Sequence, residues 1–284
     1  MTIIADSGST KTHWASLNQG QTKEMTTLGL NPRLTSDECY AEVCSEVVTT
    51  FGQLSAADKV LFYGAGCGTE QVISRVKHIL QTHFHTDKVQ VAGDMLGACR
   101  AICGNKPGLV GILGTGSNTC YYDGTSIVQQ RVSTGFVLGD EGSGNHIGRR
   151  LLKDYLEERM PERIRVMFHD DYPWPVDYFI DQLYRHPNPN RFLAQFAAFA
   201  AEHSVDEYVA EVLDDCFGAY FDNFDYFGTH AHKRLYLVGG ITASFADSLA
   251  RAAHKKGVAL GATMSDPMAG LLKYHSDDEF FKDK

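Results

Sequence analysis

The chain has 284 residues, 43% hydrophobic and 21% charged, a balance that excludes a disordered or fibrous protein and leaves room for two domains with their own cores. A net charge of −9 without a basic run argues against a nucleic-acid surface, and no apolar run is long enough to span a bilayer. The seven cysteines are an odd number with no Cys-x-x-Cys pair; they read as buried thiols in a reducing compartment, Cys99 and Cys103 included, and with no leader-like start the expected location is the cytoplasm.

In chain order, Ile4-Ala5-Asp6-Ser7-Gly8-Ser9-Thr10 is an apolar run that ends in a Gly/Ser/Thr turn. A second extended run, Thr12 to Leu17, follows, so the segment predicts a β-hairpin with a tip free of bulky side chains. Such tips suit phosphate oxygens, because glycine lets backbone N–H groups approach closely and hydroxyls add donors. A third extended run is expected over Glu24–Leu28. Thr35-Ser36-Asp37-Glu38 then reads as a capping box, ahead of helical spacing at Tyr40, Val43, Cys44, Val47, Val48 and Phe51. Strand Val60–Tyr63, helix Thr69–His83, strand Val89–Ala92 and helix Asp94–Cys103 complete the first half. Asn105-Lys106-Pro107-Gly108 is the natural boundary.

The second half restarts the pattern. Leu109–Leu113 leads into Ile112-Leu113-Gly114-Thr115-Gly116-Ser117-Asn118, a near repeat of the opening phrase, with Thr119–Tyr122 as its return run. Asp123-Gly124 predicts a type I′ hairpin turn. A helical middle follows, and its clearest member is a helix capped by Ser204 to Glu207 and running through Tyr208, Val212, Phe217 and Phe224. Strand Leu235–Val238 and helix Ala243–Lys255 resume the α/β alternation, and Pro267 opens a final helix to about Tyr274. The expected architecture is α/β and duplicated: a first lobe over residues 1–107, a second over 108–265 with a helical insertion, and residues 266–284 packing back on the first.

Several motifs fall away on inspection. Gly8-Ser9-Thr10-Lys11-Thr12 lacks the glycines of a P-loop, and Gly64-Ala65-Gly66-Cys67-Gly68-Thr69 spaces its third glycine wrongly for a dinucleotide site. His83, His85, His230 and His232 fall at helix ends and read as solvated. Four features remain. Asp6 ends the first strand, where a carboxylate can reach a water on Mg²⁺ bound to a polyphosphate. Asp94 opens a helix; alone it reads as an N-cap. Gly139-Asp140-Glu141-Gly142-Ser143-Gly144 places adjacent acids in a glycine-rich loop. Gly239-Gly240 lies between a strand and a helix, where backbone can touch a nucleotide.

Taken in order, Asp6–Thr12, Gly114–Asn118, Gly139–Ser143 and Val238-Gly239-Gly240 resemble the BadF/BadG/BcrA/BcrD-type ATPase family, and within it the N-acetylglucosamine kinases, over nearly the whole chain. The resemblance implies a ribonuclease H-like two-lobe fold of the actin/hexokinase type, with ATP and Mg²⁺ in its cleft. On this footing Asp6, Gly8, Ser9, Thr10, Lys11 and Thr12 would form one phosphate hairpin, with Asp6 reaching the metal through water. Gly114, Thr115, Gly116 and Ser117 would form the other, and Gly239 and Gly240 would meet the adenosine. Asp94 would be the general base, kept ionised by its helix N-terminus. Asn31, Asn118 and Asp140 would hold sugar hydroxyls or the acetamido group, with Thr115 and Glu141 nearby.

The resemblance further implies phosphorylation of an amino sugar, N-acetylglucosamine at its 6-hydroxyl, by a homodimeric enzyme that binds no nucleic acid and no membrane. The sequence departs from that pattern where related kinases carry tryptophans near the sugar. Here Pro32 follows Asn31, and Phe136 stands before Gly139. Two alternatives are an ATPase activator of a 2-hydroxyacyl-CoA dehydratase and a non-catalytic sensor of sugars or cell-wall fragments. The first needs a cluster-binding cysteine pair, which is not evident; the second has no use for both Asp6 and Asp94.

Overall fold

In the computed structural model, which describes residues 1–18 and 20–276, the first strand β1 (Thr2–Ser7) buries Ile3, Ile4 and Ala5 completely. Burial on consecutive residues leaves neither face to water, so helices must cover both sides of the sheet. β1 pairs antiparallel with β2 (Lys11–Asn18), and β2 with β3 (Gln21–Leu28). The chain continues through α1 (Asp37–Phe51), β4 (Lys59–Gly64), α2 (Glu70–Phe84), β5 (Val89–Gly93) and α3 (Asp94–Cys103). β4 adds parallel to β1 and β5 to β4, giving the order β3-β2-β1-β4-β5.

One face of this sheet is filled by Trp14, Phe62 and Phe84, with Tyr40, Val43 and Val47 of α1 and Val76 and Leu80 of α2. The Trp14 indole sits 6.1 Å from the rings of both Phe62 and Phe84 and donates to Thr27 Oγ1 at 2.9 Å, so its polar end is satisfied in the core. On the opposite face, Ile4, Ala15, Leu61 and Tyr63 pack against Met268 and Leu271 from the chain's far end.

The second sheet repeats this plan. β6 (Gly108–Leu113), β7 (Ser117–Tyr122) and β8 (Ile127–Gln130) form an antiparallel meander. The helical middle is α4 (Gly135–Leu138), α5 (Gly144–Leu156), α6 (Glu162–Asp171), α7 (Val176–Tyr184), α8 (Pro189–Ala194), α9 (Ala197–Glu202), α10 (Glu207–Phe221) and a 3₁₀ turn over Phe224–His230. β9 (Leu235–Val238), α11 (Gly240–Ser244), α12 (Ala246–Lys255) and β10 (Leu260–Met264) follow, and α13 (Met268–Ser276) ends the described chain. β9 lies parallel to β6 and β10 to β9, so the order β8-β7-β6-β9-β10 matches the first sheet strand for strand.

The chain divides into two compact units, residues 1–107 with 123–126 and 266 onward, and residues 108–122 with 127–265. The duplicated α/β fold expected from sequence is therefore present. Of the final segment expected over 266–284, residues 277–284 lie outside the described residues. No helix among the described residues is long and apolar enough to cross a membrane. The core of the second unit is aromatic where sequence patterning was weakest. Phe168, Phe179, Phe196 and Phe199 are all buried, and Phe168 lies 5.1 Å from Phe199 and 5.5 Å from Phe196. Aromatic-rich helices of six to ten residues show little periodicity, yet their rings bury large areas.

Several local expectations shift. Ser36, not Thr35, caps α1 by accepting from Cys39 N; Thr35 Oγ1 donates instead to Gly29 O at 3.2 Å. Asp206, not Ser204, caps α10, accepting from Tyr208 N and Val209 N. The β7–β8 turn spans four residues, because Asp123 accepts from both Thr125 N and Ser126 N at 2.8 Å and only Gly124 has a left-handed φ; a type I′ turn needs two. The helix expected over 243–255 breaks at Phe245, whose φ/ψ of −129°/31° separates α11 from α12. Cys99 is buried as expected, whereas Cys103 is half-buried. His230 is not solvated: its ring stacks on Tyr121 with centroids 3.6 Å apart.

The α10 cap is testable. Asp206→Ala removes the cap bonds and the ion pair with Arg163 and should cost about 1 kcal/mol in urea denaturation, whereas Ser204→Ala should change stability by less than about 0.5 kcal/mol.

Candidate functional site

The first tip is a tight turn closed by Gly8 N–H donating to Lys11 O at 3.0 Å. Gly29 lies directly beneath it. A Cβ there would come within 2.5 Å of Gly8 O and 2.6 Å of the Ser9 carbonyl carbon, and its N–H donates to Thr10 O at 3.2 Å. Backbone cannot yield to such a contact, so only glycine fits, and the tip's height over the sheet follows from that contact. Below it, Ser7 and Thr12 are fully buried, their hydroxyls 2.8 Å apart; Thr12 also donates to Leu28 O and Ser7 accepts from Leu30 N. Thr12 thus braces the hairpin from inside, while Gly8, Ser9 and Thr10 form the partly open tip and Lys11 is exposed.

Asn31 comes to the same tip. Its Nδ2 donates to Ser9 Oγ at 3.0 Å, and its Oδ1 accepts from Arg33 N. The loop that carries it is clamped by Arg75, which donates to Pro32 O at 2.9 Å and pairs with Asp37. Both functional ends of Asn31 are therefore engaged within its own unit.

Three acids gather near the root of this hairpin. Asp6 is the penultimate residue of β1, Asp94 opens α3 and Asp266 precedes α13. Asp6 keeps part of its surface open, yet protein surrounds its carboxyl closely enough that burial, then the charges of Asp94 and Asp266, push its pKa to about 8 against the pull of Lys11. Asp94 shows the same contrast between partial exposure and dense surroundings. Burial raises its pKa above the ordinary 3.8, although Met95 N–H donates to its Oδ1 at 2.9 Å. The helix N-terminus expected to keep Asp94 ionised is therefore opposed by desolvation, the larger influence on this carboxyl. Gly93 occupies the cap position, so Asp94 stands inside the first turn. Asp266 is held by His13 Nδ1 at 3.0 Å and by Met268 N, with Lys11 Nζ 3.8 Å away; His13 Nε2 reaches Glu24 at 2.9 Å. Carboxylate oxygens are the donors a hard divalent cation such as Mg²⁺ prefers, but these three acids do not converge closely enough to ligate one ion jointly, so an ion beside Asp6 would be met through water.

In the second unit, the tip is closed by Gly114 N–H donating to Gly116 O at 2.9 Å. Asp140 lies against it, its carboxylate so close to Gly116 that a Cβ there would sit 2.9 Å from Oδ2. Asp140 Oδ1 accepts from Ser117 N at 3.2 Å, Ser117 Oγ donates to Glu141 O at 2.7 Å, and Arg131 pairs with Glu141 at 3.8 Å. Asp140 has a left-handed φ of 59°, which Asp tolerates better than most residues. Asn118 accepts from Thr119 N through its own Oδ1. Gly239, at φ 123°, presses on Leu113 O so closely that no side chain fits; Gly240 faces open space. Phe136 is half-buried against the aromatic core, so the exposed apolar groups of the α4 loop are Val137 and Leu138.

The structure thus gathers Asp6, Gly8, Ser9, Thr10, Lys11, Asn31 and Asp94 in the first unit, and Gly114, Thr115, Gly116, Ser117, Asn118, Asp140, Glu141 and Gly239 in the second. Sequence reasoning missed Gly29, Asp266, Arg131, Asn145 and His146. Gly29 carried a signal, a glycine directly after an extended run, and Asp266-Pro267 is an N-terminal helix phrase. His146 Nδ1, which accepts from Gly142 N at 3.1 Å, and Asn145, which contacts Asp140, carried none.

Two α/β units with the same mixed strand order, each ending its first hairpin in a Gly/Ser/Thr tip, define the actin/hexokinase-like class of ATPase folds. The chain is 35% identical to a candidate N-acetylglucosamine kinase from Porphyromonas gingivalis over 98% of this chain and 99% of that one, with a TM-score of 0.88, and belongs to the same family. A candidate N-acetylglucosamine kinase from Chromobacterium violaceum shares the fold at 19% identity and a TM-score of 0.70, covering 96% and 98% of the two chains. So does a ROK family glucokinase from Streptomyces griseus in complex with glucose and AMPPNP, at 15% identity and a TM-score of 0.60, covering 97% and 98%. No family model matches the chain, and no curated relative was found.

The raised Asp6 pKa has a measurable consequence. Between the ordinary 3.8 and about 8 the folded state holds a proton that the unfolded chain has released, so stability falls as pH rises through that window. In chelator, the melting temperature should drop from pH 5 to pH 8, less so in Asp6→Asn, and millimolar Mg²⁺ should restore part of the loss at pH 8 in the wild type only. Equal pH slopes in the two proteins would contradict the assignment.

Proposed function

We propose that the chain is an ATP-dependent sugar kinase that phosphorylates an amino sugar, N-acetylglucosamine at its 6-hydroxyl. The observation that carries this reading is the 35% identity over 98% of the chain to a candidate N-acetylglucosamine kinase. The residues suit phosphoryl transfer, where positioning and charge neutralisation do most of the work. In this reading the tips at Gly8–Lys11 and Gly114–Ser117 hold phosphate oxygens, and Gly240, with open space beside it, lies against the adenosine. Asp6, with Asp94 and Asp266 close by, would hold Mg²⁺ through water, and the ion would neutralise charge on the phosphates. Asn118, Asp140 and Glu141 would contact sugar hydroxyls and the acetamido group. Asn31 joins that set only by exchanging its bond to Ser9, so its first role is to fix the loop against the tip.

Asp94 acts as the base. As the sugar oxygen bonds to the γ-phosphorus, the bond from phosphorus to the bridging oxygen breaks, the hydroxyl proton passes to the Asp94 carboxylate and ADP leaves. A carboxylate made more basic by burial is a better acceptor once ionised. The dehydratase-activator reading needs a cluster-binding cysteine pair, and the seven cysteines are dispersed along the chain.

An ADP-release assay over N-acetylglucosamine, glucosamine, N-acetylmannosamine, muramic-acid derivatives and glucose should show turnover, fastest with N-acetylglucosamine; no turnover with any of them would overturn the kinase reading. Asp94→Asn keeps the acceptor for Met95 N–H and should lower kcat about 10²- to 10⁴-fold with sugar binding retained. The acidic limb of the wild-type pH–rate profile should lie above the ordinary carboxylate value of 3.8 and vanish in that variant.

A further inference from the structure

Asn145, in the first turn of α5, is fully buried and has no part in the reading above. Its Nδ2 donates to Thr115 O at 2.7 Å and to Asp140 Oδ2 at 2.9 Å. Two acceptors on one side fix the amide, since the flipped form would aim a carbonyl oxygen at both. Oδ1 then points away and has no hydrogen-bond partner among the described residues. A buried amide oxygen left unpaired is destabilising, a penalty an apolar side chain would avoid. What this side chain contributes therefore lies in its two Nδ2 bonds.

Those bonds orient the second tip. Gly144 N–H donates to Gly114 O at 2.8 Å and Asn145 N–H to Thr115 O at 3.1 Å, so the first turn of α5 draws two successive carbonyls of the tip toward itself. In a trans peptide the N–H points opposite to its C=O. Holding the Gly114 and Thr115 carbonyls inward thus aims the Thr115 and Gly116 N–H groups away from α5, the orientation an anion-binding tip needs. The same Nδ2 grips Asp140, whose other oxygen takes Ser117 N–H.

We propose that Asn145 is a positioning residue that couples Asp140 to the Gly114–Gly116 tip, so that sugar and nucleotide each bind more tightly when the other is present. The coupling rests on the sugar-kinase reading, in which Asp140 meets the sugar and the tip meets phosphate. A sugar hydroxyl that donates to Asp140 fixes the carboxylate. Through Nδ2 it also fixes the Thr115 carbonyl and with it the Gly116 N–H. Linkage requires the effect to be reciprocal.

The test is calorimetric titration of a non-hydrolysable ATP analogue with Mg²⁺, with and without saturating N-acetylglucosamine. In the wild type, sugar should tighten the analogue by about fivefold or more. In Asn145→Ala that ratio should fall to about one, with each ligand still binding alone and the melting temperature near that of the wild type. Should the alanine variant fail to fold, Asn145→Ser, whose shorter hydroxyl cannot bridge both acceptors, takes its place with the same expectation. A variant that keeps the wild-type ratio while losing only thermal stability would reduce Asn145 to a structural role and overturn the proposal. A wild type that turns the sugar over with a ratio of one overturns the coupling alone; one that neither binds nor phosphorylates any sugar overturns the kinase reading and the coupling with it.

Discussion

The approach of backbone to backbone at glycine is the constraint on which both hairpin tips depend. Gly29 lies under the carbonyls of Gly8 and Ser9, Gly239 presses on Leu113 O, and Gly116 faces the Asp140 carboxylate with no room for a methyl group. Each contact replaces side-chain bulk with peptide dipoles at a fixed height, and peptide dipoles are what an anion-binding tip offers. The buried hydroxyls of Ser7 and Thr12 and the α5 turn at Gly144-Asn145 then hold those dipoles in orientation. Loss of Gly29 or Gly239, which face backbone, would move the tip, whereas at Gly116 the Asp140 side chain would have to give way.

Electrostatics set the second requirement. A chain with a net charge of −9 attracts phosphate only where local donors overcome the global field. The first unit nevertheless places Asp6, Asp94 and Asp266 together, at a cost visible in the raised pKa values of Asp6 and Asp94. The raised Asp6 pKa ties the charge of this region to pH. The burial that disfavours the ionised acids also raises the basicity of the Asp94 carboxylate, which bears on the role proposed for it.

The two units share a sheet order but use it differently. In the first, the tip rests on Gly29 and the acids lie at its root; in the second, Ile112 takes the strand position of Asp6, since Gly114 follows β6 as Gly8 follows β1, and the acids come from the loop before α5. On the kinase reading the first would serve metal and phosphate, the second phosphate and hydroxyl groups. The aromatic helices α6 to α9 have no counterpart in the first unit. They pack beneath α5, whose first turn positions the second tip.

Much of this was legible before any coordinates, because it rests on local rules. Apolar runs separated by Gly/Ser/Thr turns marked β1, β2, β6 and β7, and helical spacing marked α1 and α2, so the duplicated α/β plan followed from periodicity alone. Half-exposed β10 gave no such run, and the short aromatic helices gave no period. The caps moved by a residue or two because several Ser, Thr and Asp side chains compete near each helix start, and tertiary partners such as Gly29 O for Thr35 decide among them. The site divides in the same way. Asp6 and the two tips announce themselves by residue type and place, whereas Asp94 stood out only through the family resemblance. The Asp266–His13 bond joins positions 253 residues apart, and Asn145 has no local signature at all. Sequence by itself determined which backbone could form open, anion-facing tips, since glycine and strand periodicity are properties of the chain. Only the tertiary structure decided which side chains hold those tips and how far the acids' pKa values rise, because desolvation and hydrogen-bond partnership depend on what folding brings alongside.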